Sequence, residues 1–236
     1  MAFQYLIVIT GGGLLPTTMP EASFICAITE DDKKTLYDIY NIDKNKIFVV
    51  RPFFPYTRIK TDYYPRKQLV ITGSMNWYPN IEGVVWFAKE VFPYIIHEDP
   101  KYKLFLVGRK PDKRILELAS SNIVVTGEVQ SVNQFLNDSD LLIVPNRLGG
   151  GAKIKILEGG MKGIPIVSLR HSIVGYESYF TDKDFVVDDF VEGSVFANRI
   201  LQINSNFGKK TRFISSFMKQ VATECALDNF VKFINN

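Results

Sequence analysis

A repeated alternation of short apolar runs with stretches of helical length is the feature that most constrains how this chain folds. Five such runs, rich in branched side chains, are each followed by turn residues. They span residues 69–72, 104–107, 123–126, 141–144 and 166–168. Continuous apolar strands of this kind are typical of a parallel sheet covered by helices on both faces. The pattern predicts an α/β fold with a doubly wound parallel sheet.

Amphipathic patterns between these runs predict the helices, and the first sixty residues form a separate, smaller unit. Helices are predicted over 80–96, 112–119, 132–137, 153–162, 192–203 and 212–226, with a helical tail through residue 233. Strands over 5–9, 24–28 and 47–50, a glycine turn at 11–13 and a helix over 30–40 are predicted before them. The proline- and tyrosine-rich stretch 52–65 predicts a linker. We expect an N-terminal segment, 1–60, and one domain, 61–236.

The composition excludes several classes of protein. Lys and Arg total 28 against 25 Asp and Glu, and this net charge of +3 is too small for nucleic-acid binding. Two cysteines and two histidines are too few for a zinc site or a disulfide framework. The apolar stretch 5–9 has no basic flank and is far too short to span a membrane. We expect a cytoplasmic protein without a metal site.

A glycine-rich loop between a predicted strand and a predicted helix carries the clearest chemical signal. Gly149, Gly150 and Gly151 follow the strand 141–144, and Lys153 and Lys155 follow the glycines. Glycines let backbone N–H groups approach an anion, and a helix N-terminus and lysines add positive charge. In a doubly wound sheet, ligands bind at the carboxyl ends of the strands. The loop is predicted to hold phosphate.

Glu158 lies one helical turn beyond Lys155, where a ligand resting on the loop would reach it. A carboxylate there suits two vicinal hydroxyl groups, as on ribose. The alternative is a flexible turn followed by a solvated Lys155–Glu158 pair. Gly159 and Gly160 favour a ligand site over a flexible turn, because each glycine inside a helix lowers its stability by about 1 kcal/mol relative to Ala. We expect a strand or a ligand to approach the backbone there.

Several segments together resemble the donor-binding half of family 4 retaining glycosyltransferases, which have the GT-B fold. The segments are 73–80, 106–109, 125–127, 139–145, 149–158 and 163–168. The first of them, Gly-Ser-Met-Asn-Trp-Tyr-Pro-Asn, is similar to the branch that builds polysaccharides. The resemblance covers roughly residues 22–205 and implies a Rossmann-like nucleotide-sugar-binding domain.

The resemblance also implies the roles of individual residues. Glu158 would bind the ribose of a nucleoside diphosphate sugar, and the glycine loop with Lys153 and Lys155 would hold the diphosphate. The cleft would be completed by Gly73, Ser74, Gly108, Arg109 and Gly127. Fixed N–H groups and lysines would stabilise the leaving diphosphate without a metal or cofactor. No catalytic residue is assigned with certainty.

The chain departs from the family's pattern in three ways. The sugar-contacting Glu of the family is Gly150 here, and its Thr-Arg pair is Ala152-Lys153, which loses a hydroxyl and a bidentate fork. Residues 22–52 resemble only the last strand-helix-strand unit of the family's acceptor-binding domain. We therefore expect a glycan or lipid-linked acceptor to need an acceptor-domain subunit or a homo-oligomer. For the expected cytoplasmic protein, a peripheral position at the inner face of the membrane is the alternative to a position free in the cytoplasm.

Other readings stay open at this point. A catalytically silent nucleotide-sugar-binding or assembly module is the main rival to an active transferase. An oxidoreductase or a phosphoryl-transfer enzyme is disfavoured, since neither a G-x-G-x-x-G nor a Walker loop is present. His171 is either a sugar or phosphate contact or a surface loop residue. Glu177 matches a family position but also suits a cap, and Trp77 and Tyr78 either stack on a ligand or pack.

Overall fold

The computed structural model describes residues 6–9, 24–52, 54 and 65–223, and it contains two parallel sheets. The first sheet consists of β1 (Leu6–Ile9), β2 (Phe24–Ala27) and β3 (Ile47–Val49) in that order. Helix α1 (Glu30–Asp38) connects β2 to β3. It begins with a capping box, in which Thr29 accepts from the backbone of Asp32 and the Asp32 carboxylate accepts from the backbone of Thr29.

The second sheet has six parallel strands and confirms the predicted α/β class with its doubly wound, Rossmann-like sheet. Its strands are β4 (Gln68–Thr72), β5 (Lys103–Val107), β6 (Ile123–Gly127), β7 (Leu141–Val144), β8 (Ile166–Leu169) and β9 (Val186–Val187). They are arranged in the order β6-β5-β4-β7-β8-β9. From β4, strands β5 and β6 are added on one side of the sheet and β7, β8 and β9 on the other. The boundary between β4 and β7 is therefore the topological switch point, where such sheets bind ligands.

The helices surround this sheet. They are α2 (Tyr78–Trp86), α3 (Phe92–Glu98), α4 (Lys113–Leu116), α5 (Asn133–Asp138), α6 (Ile154–Met161), α7 (Gly193–Ser205) and α8 (Phe207–Thr223). A π-helical turn, Phe87–Val91, joins α2 to α3 as one helix, in place of the single α-helix predicted over 80–96. Helix α4 is shorter than predicted, and α8 begins before residue 212 because the Asn206 side chain accepts from the backbone N–H of Lys209.

The two glycines inside α6 are explained by packing. A Cβ at Gly159 would lie 2.4 Å from a methyl carbon of Leu142 on β7. A Cβ at Gly160 would lie 2.1 Å from the ring of Phe217 on α8. We expected either a strand or a ligand to approach this backbone. The close approach of a strand, β7, is confirmed at Gly159, and at Gly160 it is the helix α8 that approaches. These glycines let α6 lie close to the sheet and fix the position of its N-terminus.

The first sheet contacts the second unit through Arg51. Its guanidinium donates to the backbone oxygen of Gly175 at 3.0 Å and lies over the rings of Tyr176 and Tyr179, at 5.3 and 5.4 Å. The predicted turn at 11–13, most of the linker 52–65 and the tail after residue 223 lie outside the described residues. The domain boundary at residue 60 therefore stays a prediction. Within the described part of the chain, every helix is too short or too polar to span a membrane.

Candidate functional site

A cavity of about 1160 Å³ opens at the carboxyl ends of β4, β5, β6 and β7. Of the residues predicted for the site, it is lined by Gly73, Ser74, Arg109, Gly149, Gly150, Lys153, Lys155 and Glu158. Two predicted residues, Gly127 and Gly151, do not line the cavity themselves. Gly127 directly precedes the lining residue Glu128, and Gly151 lies between the lining residues Gly150 and Ala152. The fold thus brings four loops, far apart in sequence, around one space at the switch point of the sheet.

The glycine loop after β7 has a backbone that needs glycine at two of its three positions. Gly149 and Gly151 have φ values of +87° and +73°. A Cβ at Gly149 would also lie 2.7 Å from the ring of Trp77, whereas one at Gly150 would meet no atom within 4 Å. Gly149 and Gly151 therefore fix the loop conformation, and Gly150 is open to solvent and substitution.

Lys153 holds this loop from within. Its ammonium donates to the backbone oxygens of Gly149, Gly150 and Gly151 at 2.5, 3.3 and 3.1 Å. Burial lowers the pKa of Lys153, and the charge of Asp32 opposes that shift. The sequence predicted a phosphate contact for Lys153, and the structure places its ammonium on the loop carbonyls. Its positive charge remains beside the cavity.

Lys155 lies at the cavity wall on the first turn of α6. Its ammonium donates to the side-chain oxygens of Asn80, at 2.9 Å, and Asn146, at 3.3 Å. The protein atoms around it, with a smaller contribution from the charge of Lys153, lower the pKa of Lys155 to about 7. Both partners of the Lys155 ammonium are neutral, and its third N–H bond has no partner among them. An ammonium in this arrangement suits an anionic ligand.

Glu158 lines the same cavity one turn further along α6 and is half-buried. Burial raises the pKa of its carboxyl group, and the charge of Lys162 partly offsets this shift. The carboxylate accepts no hydrogen bond from any described residue. Two acceptor oxygens are thus available to a ligand with hydroxyl groups.

The loops after β4, β5 and β6 form the opposite wall. The Arg109 guanidinium lies 3.4 Å from the hydroxyl of Ser74, and the backbone N–H of Gly108 donates to the oxygen of Gly127 at 3.3 Å. A Cβ at Gly108 would lie 1.7 Å from the backbone oxygen of Gly73, so only glycine fits. The loops of this wall are therefore packed directly against one another.

His171, Glu177 and the aromatic pair take different positions. His171 Nε2 lies 3.1 Å from the oxygen of Gly149, and its backbone N–H donates to Asp189, so its ring supports the loop without lining the cavity. Glu177 begins a 3₁₀ turn, Glu177–Tyr179. Trp77 lines the cavity, whereas Tyr78 is 58% exposed.

Sequence reasoning missed two polar residues that shape the cavity. Asn80 and Glu128 both line it, and neither was predicted to take part. Asn80 follows Pro79 in the first turn of α2, and only the structure shows that its amide is buried and therefore needs partners. Glu128 directly follows a strand end, the usual place for ligand contacts in this fold.

Comparison with known families gives one match. The sequence model of the family described as "Glycosyl transferases group 1" matches residues 66–206, more than half of the chain. An uncharacterized 44.6 kDa protein in the cps region of Klebsiella pneumoniae is 22% identical over 163 residues, which are 65% of this chain and 39% of that protein.

Solved structures share the fold at low sequence identity. A mutant of TarM from S. aureus, in complex with fondaparinux, α-GlcNAc-glycerol and UDP, has a TM-score of 0.76 and 14% identity, covering 98% of this chain and 50% of that one. The pneumococcal O-GlcNAc transferase GtfA, in complex with UDP and GlcNAc, has a TM-score of 0.71 and 14% identity. The match covers 93% of this chain and 46% of GtfA. HepE from Anabaena, in complex with UDP and glucose, has a TM-score of 0.67 and 12% identity. The match covers 91% of this chain and 63% of HepE. The chain thus spans between 46% and 63% of the length of these three neighbours.

Proposed function

Because the chain belongs to the glycosyl transferases group 1 family, we propose that it is the donor-binding part of a glycosyltransferase. It transfers a hexosyl group from a nucleoside diphosphate sugar to a polysaccharide or related glycan. The observation that carries this proposal is the meeting of the glycine loop, Lys155 and Glu158 around one cavity at the switch point of the sheet.

The proposal assigns each part of such a donor to residues around the cavity. The diphosphate rests at the glycine loop, with Lys153 supporting the loop and Lys155 donating to a phosphate oxygen. The ribose reaches Glu158, whose oxygens accept from its two hydroxyl groups. The base lies toward Gly108, Arg109 and Gly127, at the loops of the opposite wall. Phosphate, ribose and base contacts thus follow one another in the order in which the nucleotide carries them.

The reaction needs stabilisation of the charge that builds on the leaving diphosphate. When the bond between the sugar's anomeric carbon and the phosphate oxygen breaks, the electron pair stays on the diphosphate. Fixed N–H groups and the Lys155 ammonium can oppose this charge without reorganising, and they support a metal-independent reaction. We propose retention of the anomeric configuration on the resemblance to family 4 enzymes; the configuration of the product, read by proton NMR, tests it.

The neighbours suggest which donor to test first. TarM, GtfA and HepE were each solved with UDP, and the latter two with GlcNAc or glucose. These complexes support UDP-hexose as the first donor to test. Because Gly150 carries no side chain toward the sugar, contacts to the hexose come from other residues, and His171 is a candidate if the loop moves.

The acceptor side is proposed to involve further protein. This chain spans 39% of its relative from K. pneumoniae and 50% of TarM. We propose that a glycan or lipid-linked acceptor is positioned by an acceptor-binding domain, with an acceptor-domain subunit or a second copy of the chain as the candidates, in the cytoplasm or at the inner face of the membrane. Acceptor positioning supplies a large part of catalysis, so the isolated donor part should turn over slowly.

Calorimetric titration with UDP, GDP and dTDP tests the proposal. We expect micromolar binding of one nucleotide by the wild type and binding that is about a hundredfold weaker in Glu158→Ala. Glu117→Ala, an exposed Glu at the end of α4, is the matched control and should bind like the wild type. Failure of all three nucleotides to bind would contradict the proposal. Binding without sugar transfer in the presence of any acceptor fraction would favour the silent binding module instead.

A further inference from the structure

Two buried asparagines accept hydrogen bonds from the Lys155 ammonium. The side chain of Asn80, on α2, is 5% exposed, and that of Asn146, in the loop after β7, is 1% exposed. Each places its side-chain oxygen on the Lys155 ammonium, at 2.9 and 3.3 Å. Lys155 is therefore held by one group that is distant in sequence, Asn80 on α2, and by one from the loop that leads into α6, Asn146.

The orientation of both amides is fixed by backbone carbonyls. The Asn80 amide nitrogen donates to the oxygen of Ser74 at 2.8 Å. The Asn146 amide nitrogen donates to the oxygens of Pro79, at 2.9 Å, and of the Asn80 side chain, at 3.0 Å. Rotating either amide by half a turn would set oxygen against oxygen and nitrogen against ammonium. Both side-chain oxygens therefore face Lys155.

These partners orient the ammonium without neutralising it. Among the described residues, no carboxylate bonds to Lys155. Glu82, on α2, pairs instead with Arg147 of the loop after β7, at 3.0 Å. The other charged groups around the site are Lys153 on the glycine loop, Arg109 after β5, Glu128 after β6 and Glu158 on α6. Two amide acceptors thus occupy two of the three N–H bonds and leave the positive charge for an anion.

Resting on the proposed function, we propose that Asn80 and Asn146 are positioning residues for donor binding: they hold the Lys155 ammonium at the cavity wall so that its third N–H bond meets the donor diphosphate. Asn80 additionally fixes the Ser74 loop through its amide nitrogen, which ties the two walls of the cavity together. Neither asparagine needs to touch the nucleotide for this role.

A double-mutant cycle with UDP as the probe tests this role. Lys155→Ala should weaken UDP binding by roughly tenfold to a hundredfold, since a charge-assisted hydrogen bond is lost. Asn80→Ala and Asn146→Ala should each weaken it by about tenfold. In the Lys155→Ala background, Asn80→Ala should weaken binding clearly less than it does in the wild type, because the part of its effect that acts through Lys155 is already lost and only the contact to the Ser74 loop remains to be removed. Thermal unfolding of each variant shows whether it is folded, and the Asn146 variant serves if the Asn80 variant is not.

The pH dependence of UDP affinity is the readout that a merely structural role would not move. Since the pKa of Lys155 is about 7 in the free protein, wild-type affinity should fall by up to about tenfold per pH unit between pH 7.5 and 9. Asn80→Asp brings a carboxylate to Lys155 and raises its pKa, so the fall should begin at higher pH. Asn122→Ala is the control, since Asn122 also bonds two backbone oxygens, those of Pro100 and Tyr102, outside the cavity lining.

The outcomes separate this inference from the proposed function. If the wild type binds UDP and the effects of Asn80→Ala and Lys155→Ala multiply fully in the double variant, the asparagine does not act through the lysine and the inference is wrong. An unchanged pH profile in Asn80→Asp would overturn it as well. If the wild type binds none of UDP, GDP and dTDP, the proposed function fails, and this inference falls with its premise.

Discussion

The ammonium of Lys153 lies 2.5 Å from the backbone oxygen of Gly149, the residue whose φ of +87° gives the glycine loop its shape. The same oxygen lies 3.1 Å from Nε2 of His171, and the Gly149 backbone packs against the ring of Trp77. The loop is therefore held from three sides before any ligand arrives. Such preorganisation favours binding, because the cost of ordering the loop is already met in the fold.

Lys153→Met should weaken UDP binding by about tenfold, because the loop loses its donor to three carbonyl oxygens and its nearby positive charge. Calorimetric titration measures this effect. Lys89→Met, which changes an exposed lysine of the π-helical turn, is the matched control and should leave the affinity unchanged. Equal affinities of the two variants would show that Lys153 does not organise the site.

Gly149→Ala and Gly150→Ala should differ in UDP binding although they are neighbours. Alanine at 149 is strained by the positive φ and would clash with Trp77, so affinity should fall by about tenfold. Alanine at 150 meets open space and should bind within about twofold of the wild type. A larger loss from the change at 150 would mean that the loop has another conformation when UDP is bound.

Gly160→Ala should destabilise the fold by about 2 kcal/mol, which lowers the melting temperature by about 4–8 °C, because its Cβ would overlap the Phe217 ring. Scanning calorimetry measures the difference. Gly208→Ala, in the first turn of α8, meets only side-chain atoms at 3.5 Å or more and should be neutral or slightly stabilising. A neutral result for the change at 160 would contradict the packing of α6 on α8.

Glu158→Gln should raise the melting temperature at pH 7 to 8 by about 2 °C while it weakens UDP binding. Burial raises the folded-state pKa of Glu158, so the folded state favours the protonated form and the charged form costs stability above that pKa. The gain should therefore shrink as the pH falls through the raised pKa. Melting curves from pH 4 to 8 measure it, and the exposed Glu117→Gln should show no such gain. A Glu158→Gln variant less stable than the wild type at pH 8 would contradict this account.

Glu158 should also decide between ribose and deoxyribose. The wild type should bind UDP about tenfold more tightly than 2′-deoxy-UDP, because the deoxy compound leaves a carboxylate oxygen without its donor. In Glu158→Ala the two nucleotides should bind equally. Competition titrations of both ligands on both proteins make the comparison, and a preference that survives in the variant would place the ribose elsewhere.

The sequence predicted most strands of the larger sheet well because the central ones are buried on both faces and are therefore continuous apolar runs, and the edge strand β6, although partly exposed, is also apolar at 123–125. Residues 141–144 were predicted with the observed bounds, and all four are buried. Strand β9 was missed, since Val186 and Val187 alone make too short a run. The start of α8 was placed too late because its signal is one capping side chain, Asn206, rather than a periodic pattern.

The candidate site was predictable where residues are consecutive and not where the fold brings them together. The glycine loop and Glu158 stand within ten residues of one another, and the order of these types carries the signal. Of the partners of Lys155, Asn146 lies nine residues before it, whereas Asn80 lies 75 residues away, and the local sequence around Lys155 gives no sign of that second contact. Lys153 was assigned by charge, but the direction of its side chain depends on loop carbonyls that only the structure locates.

A crystal structure of the complex with UDP tests the central claim most directly, since it locates phosphate, ribose and base at once. The account predicts the diphosphate at Gly149–Gly151 with an oxygen on the Lys155 ammonium, and both ribose hydroxyls on Glu158. It also predicts that Asn80 and Asn146 keep their bonds to Lys155. UDP bound with its ribose away from Glu158, or its diphosphate away from the glycine loop, would contradict the account.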